Sequence, residues 1–286
     1  MQPSQLSERI RRNLDRMSDG ARRVAEFVLE RPEDVAMLPA ARVAERLGIS
    51  ESTVTRFAVL LGYKGYPAFR RELQSDVRRS LMPLQRLALP HESELAKRKT
   101  VSAVVRQDIE NILRTEQNIL EADLRRAVAL ISDARTIYVM GLRASFGLAH
   151  GLYFQLQQML GNVVLCDTGR GEGLDALVGI GVQDVLICVS FPRHAVLTVA
   201  ATQFAHERHA RIIAITDGPL SPVAGRADVM FSISTSILNV TTSLAGGLSL
   251  ANVLCAEVLL TNRERAARNL QNVEEALQAA RLHHTS

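Results

Sequence analysis

Cysteine is scarce in this chain. Cys166, Cys188 and Cys255 are the only three in 286 residues, far apart and with no C-x-x-C pair. That spacing excludes a disulfide framework and a thiolate zinc site, and it suits a reducing compartment. Cys188 lies inside an apolar run, where a free thiol serves as a small hydrophobe. Long apolar stretches are equally scarce. The N-terminal "MQPSQLSERIRRNL" has no apolar core of the kind a secretory signal requires. Met230 to Ala256 carries no charge, but "STS", "NVTTS" and "GG" interrupt it. Such a segment suits a buried helix with its approach loop rather than a bilayer crossing. Internal repeats and low-complexity tracts are missing as well. The expectation is a soluble, cytoplasmic protein with no membrane partner, no metal and no cofactor.

What is present is globular composition, 47% hydrophobic and 22% charged, on a chain long enough for one large domain or two ordinary ones. Charge is unevenly placed. Residues 1–80 hold 15 Lys and Arg against 11 Asp and Glu, while the remainder holds 19 of each. The whole positive excess of +4 therefore lies at the front, as in a polyanion-binding module ahead of a neutral domain.

Hydrophobic periodicity divides the chain further. Leu6, Ile10, Leu14 and Met17 form a helical stripe, as do Val24, Phe27 and Val28, and Pro32 and Pro39 punctuate the next segment. A longer helix is expected from Pro67 toward Met82. Residues 83–100 read as a linker, with two prolines and the polar run "HESELAKRKT". Beyond it, helical patterns run through "VVRQDIENILRTEQNIL" and "LRRAVALISDA". The period then changes to apolar runs: "TIYVMG", "NVVLC", "DVLICVS", "RIIAITD" and "DVMFSI". Apolar strands alternating with helical segments predict a doubly wound parallel sheet covered on both faces. A last helix is expected from about Arg263 to Leu282. The organisation read from sequence is an all-α head over 1–82, a linker over 83–100 and an α/β domain over 101–286.

Within "ARVAERLGISESTVTRFAVLLG" the apolar positions Val43, Leu47, Ile49, Val54, Phe57 and Leu61 describe two helices around a tight turn. Ala44 supplies a small residue at the crossing and Gly48 a permissive one in the turn. Ser50 is a good N-cap for the second helix, with Thr53 at its N3 position. The exposed face would then carry Ser50, Glu51, Ser52, Thr53, Thr55 and Arg56. Short hydroxyls and one long cation suit phosphate oxygens and base edges in a major groove. Lys64 and Tyr66 come next as a backbone clamp. The alternative is an amphipathic helical hairpin with an ordinary polar face.

The stretch "LPAARVAERLGISESTVTRFAVLLGYKGYPAFRREL" resembles the helix-turn-helix of the RpiR/MurR bacterial transcriptional regulators, above all in "S-x-S-T-V-x-R-F" and "L-G-Y-K-G-Y". In that family the C-terminal part is a SIS domain, a sugar-isomerase-like fold that binds phosphosugars. "TIYVMGLRAS", "DVLICVS" and "ARIIAITDGPLSPVAGRADV" resemble it, so the likeness covers nearly the whole chain. It implies a double-stranded DNA operator as partner and a homodimer or homotetramer formed through the α/β domain.

In such sheets ligands bind beyond the carboxyl ends of strands at the switch point. Two loops qualify, "GLRASFG" after "TIYVM" and "SFPRH" after "DVLICV", each leading into a helix whose N-terminus favours an anion. SIS phosphosugar loops typically read G-x-G-x-S and S-x-S-G-x-T. This chain keeps Gly141, Ser145 and Ser190 and departs at Arg143, Pro192, Arg193 and His194. Pro192 has no N–H to give a phosphate. Two guanidiniums can still clamp a carboxylate or phosphate bidentately, so a small anionic carbohydrate-like effector is expected, held by Gly141, Arg143, Ser145, Ser190, Arg193 and His194. Two alternatives stand beside it. An aldose–ketose isomerase would use His194, Glu172 or Glu257 as general base. The other is a SIS domain that only dimerises, with both arginines on the solvated surface.

Overall fold

The computed structural model describes residues 5–80, 100–167, 174–237 and 241–280. The expected linker falls almost wholly outside them, as do Glu172 and the last residues of the expected C-terminal helix. The chain divides into two compact units, Met1–Ala96 and Lys97–Ser286.

In the first unit the expected short helices form in series: α1 (Gln5–Asn13), α2 (Asp19–Glu30), α3 (Pro32–Met37), α4 (Ala40–Leu47), α5 (Glu51–Leu60) and α6 (Tyr66–Ser80). Their apolar stripes meet in one core that includes Ile10, Val24, Val28, Val43, Val54, Phe57 and Phe69. Phe57 and Phe69 pack edge to face with centroids 5.2 Å apart. Helices this short bury little each, so aromatic anchors at the crossing of α5 and α6 matter more than helix length.

The second unit begins with α7 (Thr100–Asn118) and α8 (Glu121–Asp133) and then alternates strand and helix: β1 (Ile137–Gly141), α9 (Phe146–Leu160), β2 (Val163–Leu165), β3 (Val185–Ser190), α10 (Val196–Glu207), β4 (Arg211–Thr216) and β5 (Val229–Ser232). It closes with α11 (Ala245–Thr261) and α12 (Arg263–Ala279). All five apolar runs are strands, and every pairing is parallel, in the order β2-β1-β3-β4-β5. Strand alternation sorts the side chains. Ile137, Val139, Ile187, Val189, Ile213 and Ile215 point to a core shared with α8, α9 and α11. Tyr138, Met140, Leu186, Cys188, Ile212 and Ala214 point to the face covered by α10. Both faces are buried, which is why these strands read as continuous apolar runs.

At the amino ends of β1 and β3 a buried carboxylate ties the strands together. Asp184 accepts from Arg135 Nε at 2.9 Å and Nη2 at 2.6 Å, and from the amides of Gly181 at 2.8 Å and Thr136 at 3.2 Å. Burial pushes this carboxyl up, yet the guanidinium and the two amides hold it below the usual carboxylate range. The opposite, carboxyl ends of the same strands are left for the loops. β1 and β3 are neighbours with Gly141 level with Val189, and the chain leaves them toward opposite edges of the sheet. That is the switch point.

α11 takes up the last part of the uncharged Met230–Ala256 span, and Leu250, Ala251, Leu254 and Cys255 lie in the core. Among the described residues no single helix is long and apolar enough to cross a membrane; α11 and α12 qualify only as a pair, bent by 105°.

Candidate functional site

The turn between α4 and α5 is built as the residue types require. Gly48 closes α4 with φ +60°, a left-handed conformation that an L side chain adopts at a cost of about 1–2 kcal/mol. Its amide returns to Glu45 O at 3.2 Å and that of Ile49 to Ala44 O at 3.0 Å. Ser50 then starts α5, its hydroxyl accepting from the Thr53 amide at 3.2 Å. The same hydroxyl lies 2.9 Å from Thr53 Oγ1, and Arg56 Nη2 donates to Thr53 Oγ1 at 3.2 Å. A chain of contacts thus runs from the cap to the guanidinium along one face. Val54, Phe57 and Ala58 are buried on the other. Ser50, Glu51, Ser52, Thr55, Arg56 and Lys64 are exposed, and Thr53 is half-exposed.

Tyr66 is a correction. Expected at a DNA backbone, it is only 2% exposed, and its hydroxyl donates to Leu38 O at 3.0 Å and Val35 O at 3.3 Å. Burial pushes its phenol up to about 12, against the opposing Arg70. Arg70 Nε and Gln74 Nε2 each reach Ala36 O at 2.9 Å, so this edge of α6 satisfies the carbonyls at the end of α3. Tyr66 anchors the head and faces no groove.

In the sheet unit a cavity of about 270 Å³ opens at the switch point. Arg143 and Ser145 line it from the loop after β1, and Ser190, Pro192 and Arg193 from the loop after β3. Leu142, Phe191, Thr198, Thr241 and Thr242, none of them singled out in the sequence, complete much of the wall. No acidic residue lines it among the described residues. The two arginines share an unusual backbone. Arg143 has φ +56° and Arg193 φ +67°, and both side chains are exposed. They occupy positions at which SIS loops typically carry glycine, so the glycine-like path is retained without the glycine.

The two remaining loop residues stand behind this wall. Gly141 is buried, and a Cβ there would meet Ala149 Cβ at 2.8 Å and Ser145 O at 2.9 Å, so it lets β1 pass close under the loop. His194 turns away from the cavity: Nδ1 lies 3.0 Å from Ser190 Oγ and Nε2 3.7 Å from Asp217 Oδ1. Burial depresses its pKa below the ordinary 6.5, against an opposing pull from Asp217. It is neutral near pH 7, which leaves the two guanidiniums as the charge of the cavity. Glu257 is exposed on α11 and is not among the residues lining the cavity.

A helix-turn-helix head carried with a doubly wound domain that opens a basic, hydroxyl-lined cavity at its switch point is the domain organisation of a DNA-binding regulator. Residues 4–80 match the helix-turn-helix domain of the rpiR family and residues 130–254 match the SIS domain. The chain is accordingly an RpiR-family transcriptional regulator. It is 24% identical over 284 residues to the HTH-type transcriptional regulator HexR of Escherichia coli (strain K12), covering 96% of this chain and 95% of that one. Among solved structures it is similar to the sugar isomerase domain of an RpiR transcription factor from Sphaerobacter thermophilus, with TM-score 0.58 and 29% identity over 61% of this chain and 97% of that one. The Vibrio vulnificus NanR protein complexed with ManNAc-6P shares the fold, with TM-score 0.59 and 21% identity over 96% of this chain and 98% of that one.

Proposed function

We propose that this regulator binds a double-stranded operator through the exposed face of α5 and senses a small anionic carbohydrate derivative, a sugar phosphate or a related acid, in the switch-point cavity. The head would be residues 1–82, the connector 83–100 and the effector domain 101–286. DNA contact is assigned to Ser50, Glu51, Ser52, Thr53, Thr55, Arg56 and Lys64. Effector contact is assigned to Arg143, Ser145, Ser190 and Arg193, with Gly141 and His194 shaping the loops behind them.

One observation carries the effector reading: two guanidiniums and several hydroxyls line one cavity with no carboxylate to neutralise them among the described residues. Left-handed backbone at two non-glycine residues costs of order 1 kcal/mol each, and such strain collects at ligand clamps. That NanR is known in complex with ManNAc-6P supports a phosphosugar-like ligand on this fold. His194 outside the cavity wall supports sensing over turnover.

The reading also includes a homodimer or homotetramer. Val101, Val105, Ile109, Ile112 and Leu113 form one exposed apolar stripe along α7, between 36% and 79% exposed. A second copy, paired through the same helix about a two-fold axis, would cover a patch of that kind.

The test is the double change Arg143→Ala/Arg193→Ala. Each charge-assisted bond contributes about 1.5–3 kcal/mol, so losing both should abolish the effector response. The protein should remain folded and still shift DNA fragments flanking its own gene, with a mobility that candidate sugar acids no longer alter. A double variant that responds like wild type would place both arginines on the mere surface.

A further inference from the structure

Thr198 is the third residue of α10, 1% exposed, and it lines the switch-point cavity. Its hydroxyl has no hydrogen-bond partner among the described residues. That is unusual for threonine in a helix, which commonly bonds back to the carbonyl four residues earlier. Thr202, one turn on, does so, donating to Thr198 O at 2.8 Å. A buried hydroxyl without a partner is costly, and it persists where a ligand completes it. The helix start is unfinished too. Ala195 caps α10 with no side-chain acceptor for its first amides, and an amino end of this kind favours an anion.

Composition points the same way. SIS loops supply hydroxyls at the positions held here by Pro192 and Ala195. Neither residue can donate from its side chain, and Pro192 has no amide proton either. Ala195 and Thr198 are three apart, so the lost hydroxyl reappears one turn along the same face.

Resting on the anion-sensing reading above, we propose that Thr198 is a ligand-contacting residue, its hydroxyl donating to an anionic oxygen of the effector seated against the first turn of α10. A phosphate ester and a carboxylate share this chemistry. The arginines then supply charge from the loops while Thr198 supplies a neutral donor from the wall.

The role demands opposite signs in two measurements. Thr198→Val replaces an unpartnered hydroxyl by a methyl of equal size, so the unliganded full-length protein should melt at or above wild type. The same variant should bind glycerol 3-phosphate or malonate, whichever stabilises wild type in thermal titration, about ten- to a hundredfold more weakly. Thr198→Ser should restore binding. Thr198→Ala gives the same affinity readout should Val not be accommodated. If Arg193→Ala loses the probe while Thr198→Val keeps it within about twofold, Thr198 is overturned and the anion reading stands. If neither probe stabilises wild type, the anion reading fails and Thr198 with it. The probe that binds decides between ester and carboxylate.

Discussion

Arg56 leaves the exposed face of α5 with its guanidinium 3.2 Å from the Thr53 hydroxyl, which itself lies 2.9 Å from Ser50 Oγ. A side chain steadied in this way loses less freedom on meeting DNA than a free arginine. Arg56→Ala should leave the melting temperature within the small range of exposed substitutions. In a gel-shift titration operator binding should weaken by about 1–3 kcal/mol, specific to one base position if the guanidinium reads a guanine edge. Unchanged affinity would remove Arg56 from the interface. At this scale the sequence was readable wherever periodicity alone decides exposure: Val54 and Phe57 inward, Thr55 and Arg56 outward. It failed at Tyr66. A tyrosine beside lysine and glycine looks like a clamp, and nothing local reveals that carbonyls 28 and 31 residues upstream satisfy its hydroxyl.

The loops after β1 and β3 belong to the scale of elements. Their place was legible, because apolar runs separated by helical segments define a parallel sheet, and its switch point is set by strand order. That Arg143, Ser145, Ser190 and Arg193 share one cavity results from β1 lying beside β3. The sign of a backbone angle was not legible, nor which way His194 would turn, since both depend on packing behind the loop. The left-handed arginines make a prediction of their own. Arg193→Gly removes strain of about 1–2 kcal/mol but adds unfolded-state entropy of about 0.5–1 kcal/mol. The first effect is the larger, so the unliganded protein should gain up to about 1.5 kcal/mol in a denaturant melt. Effector affinity should fall as for Arg193→Ala. A variant destabilised by glycine would mean that the guanidinium holds the loop itself.

The whole molecule is two compact units with different charge. Residues 1–80 carry the whole positive excess and a core that includes Ile10 and Phe69, and residues 81–286 are neutral in sum. Residues 1–80 alone should therefore fold as a helical unit, seen by circular dichroism and a cooperative melt. Alone, the head presents one recognition helix and few phosphate contacts, so its affinity should be poor and fall steeply with salt. Helix-turn-helix proteins ordinarily gain affinity by holding two heads on half-sites about 34–36 Å apart, and that spacing must come from elsewhere in the chain. The exposed stripe on α7 is the surface proposed above for pairing, and placing an acid in it at Ile109 should weaken self-association. Linking two heads raises the effective concentration of the second by the tether, which alone can increase affinity by about a hundredfold or more. Fusing residues 1–80 to an unrelated dimeriser should accordingly recover much of the operator binding without recovering any effector response. If the isolated head binds the operator as tightly as the full chain at the same salt, pairing through the sheet domain is not how this regulator holds DNA.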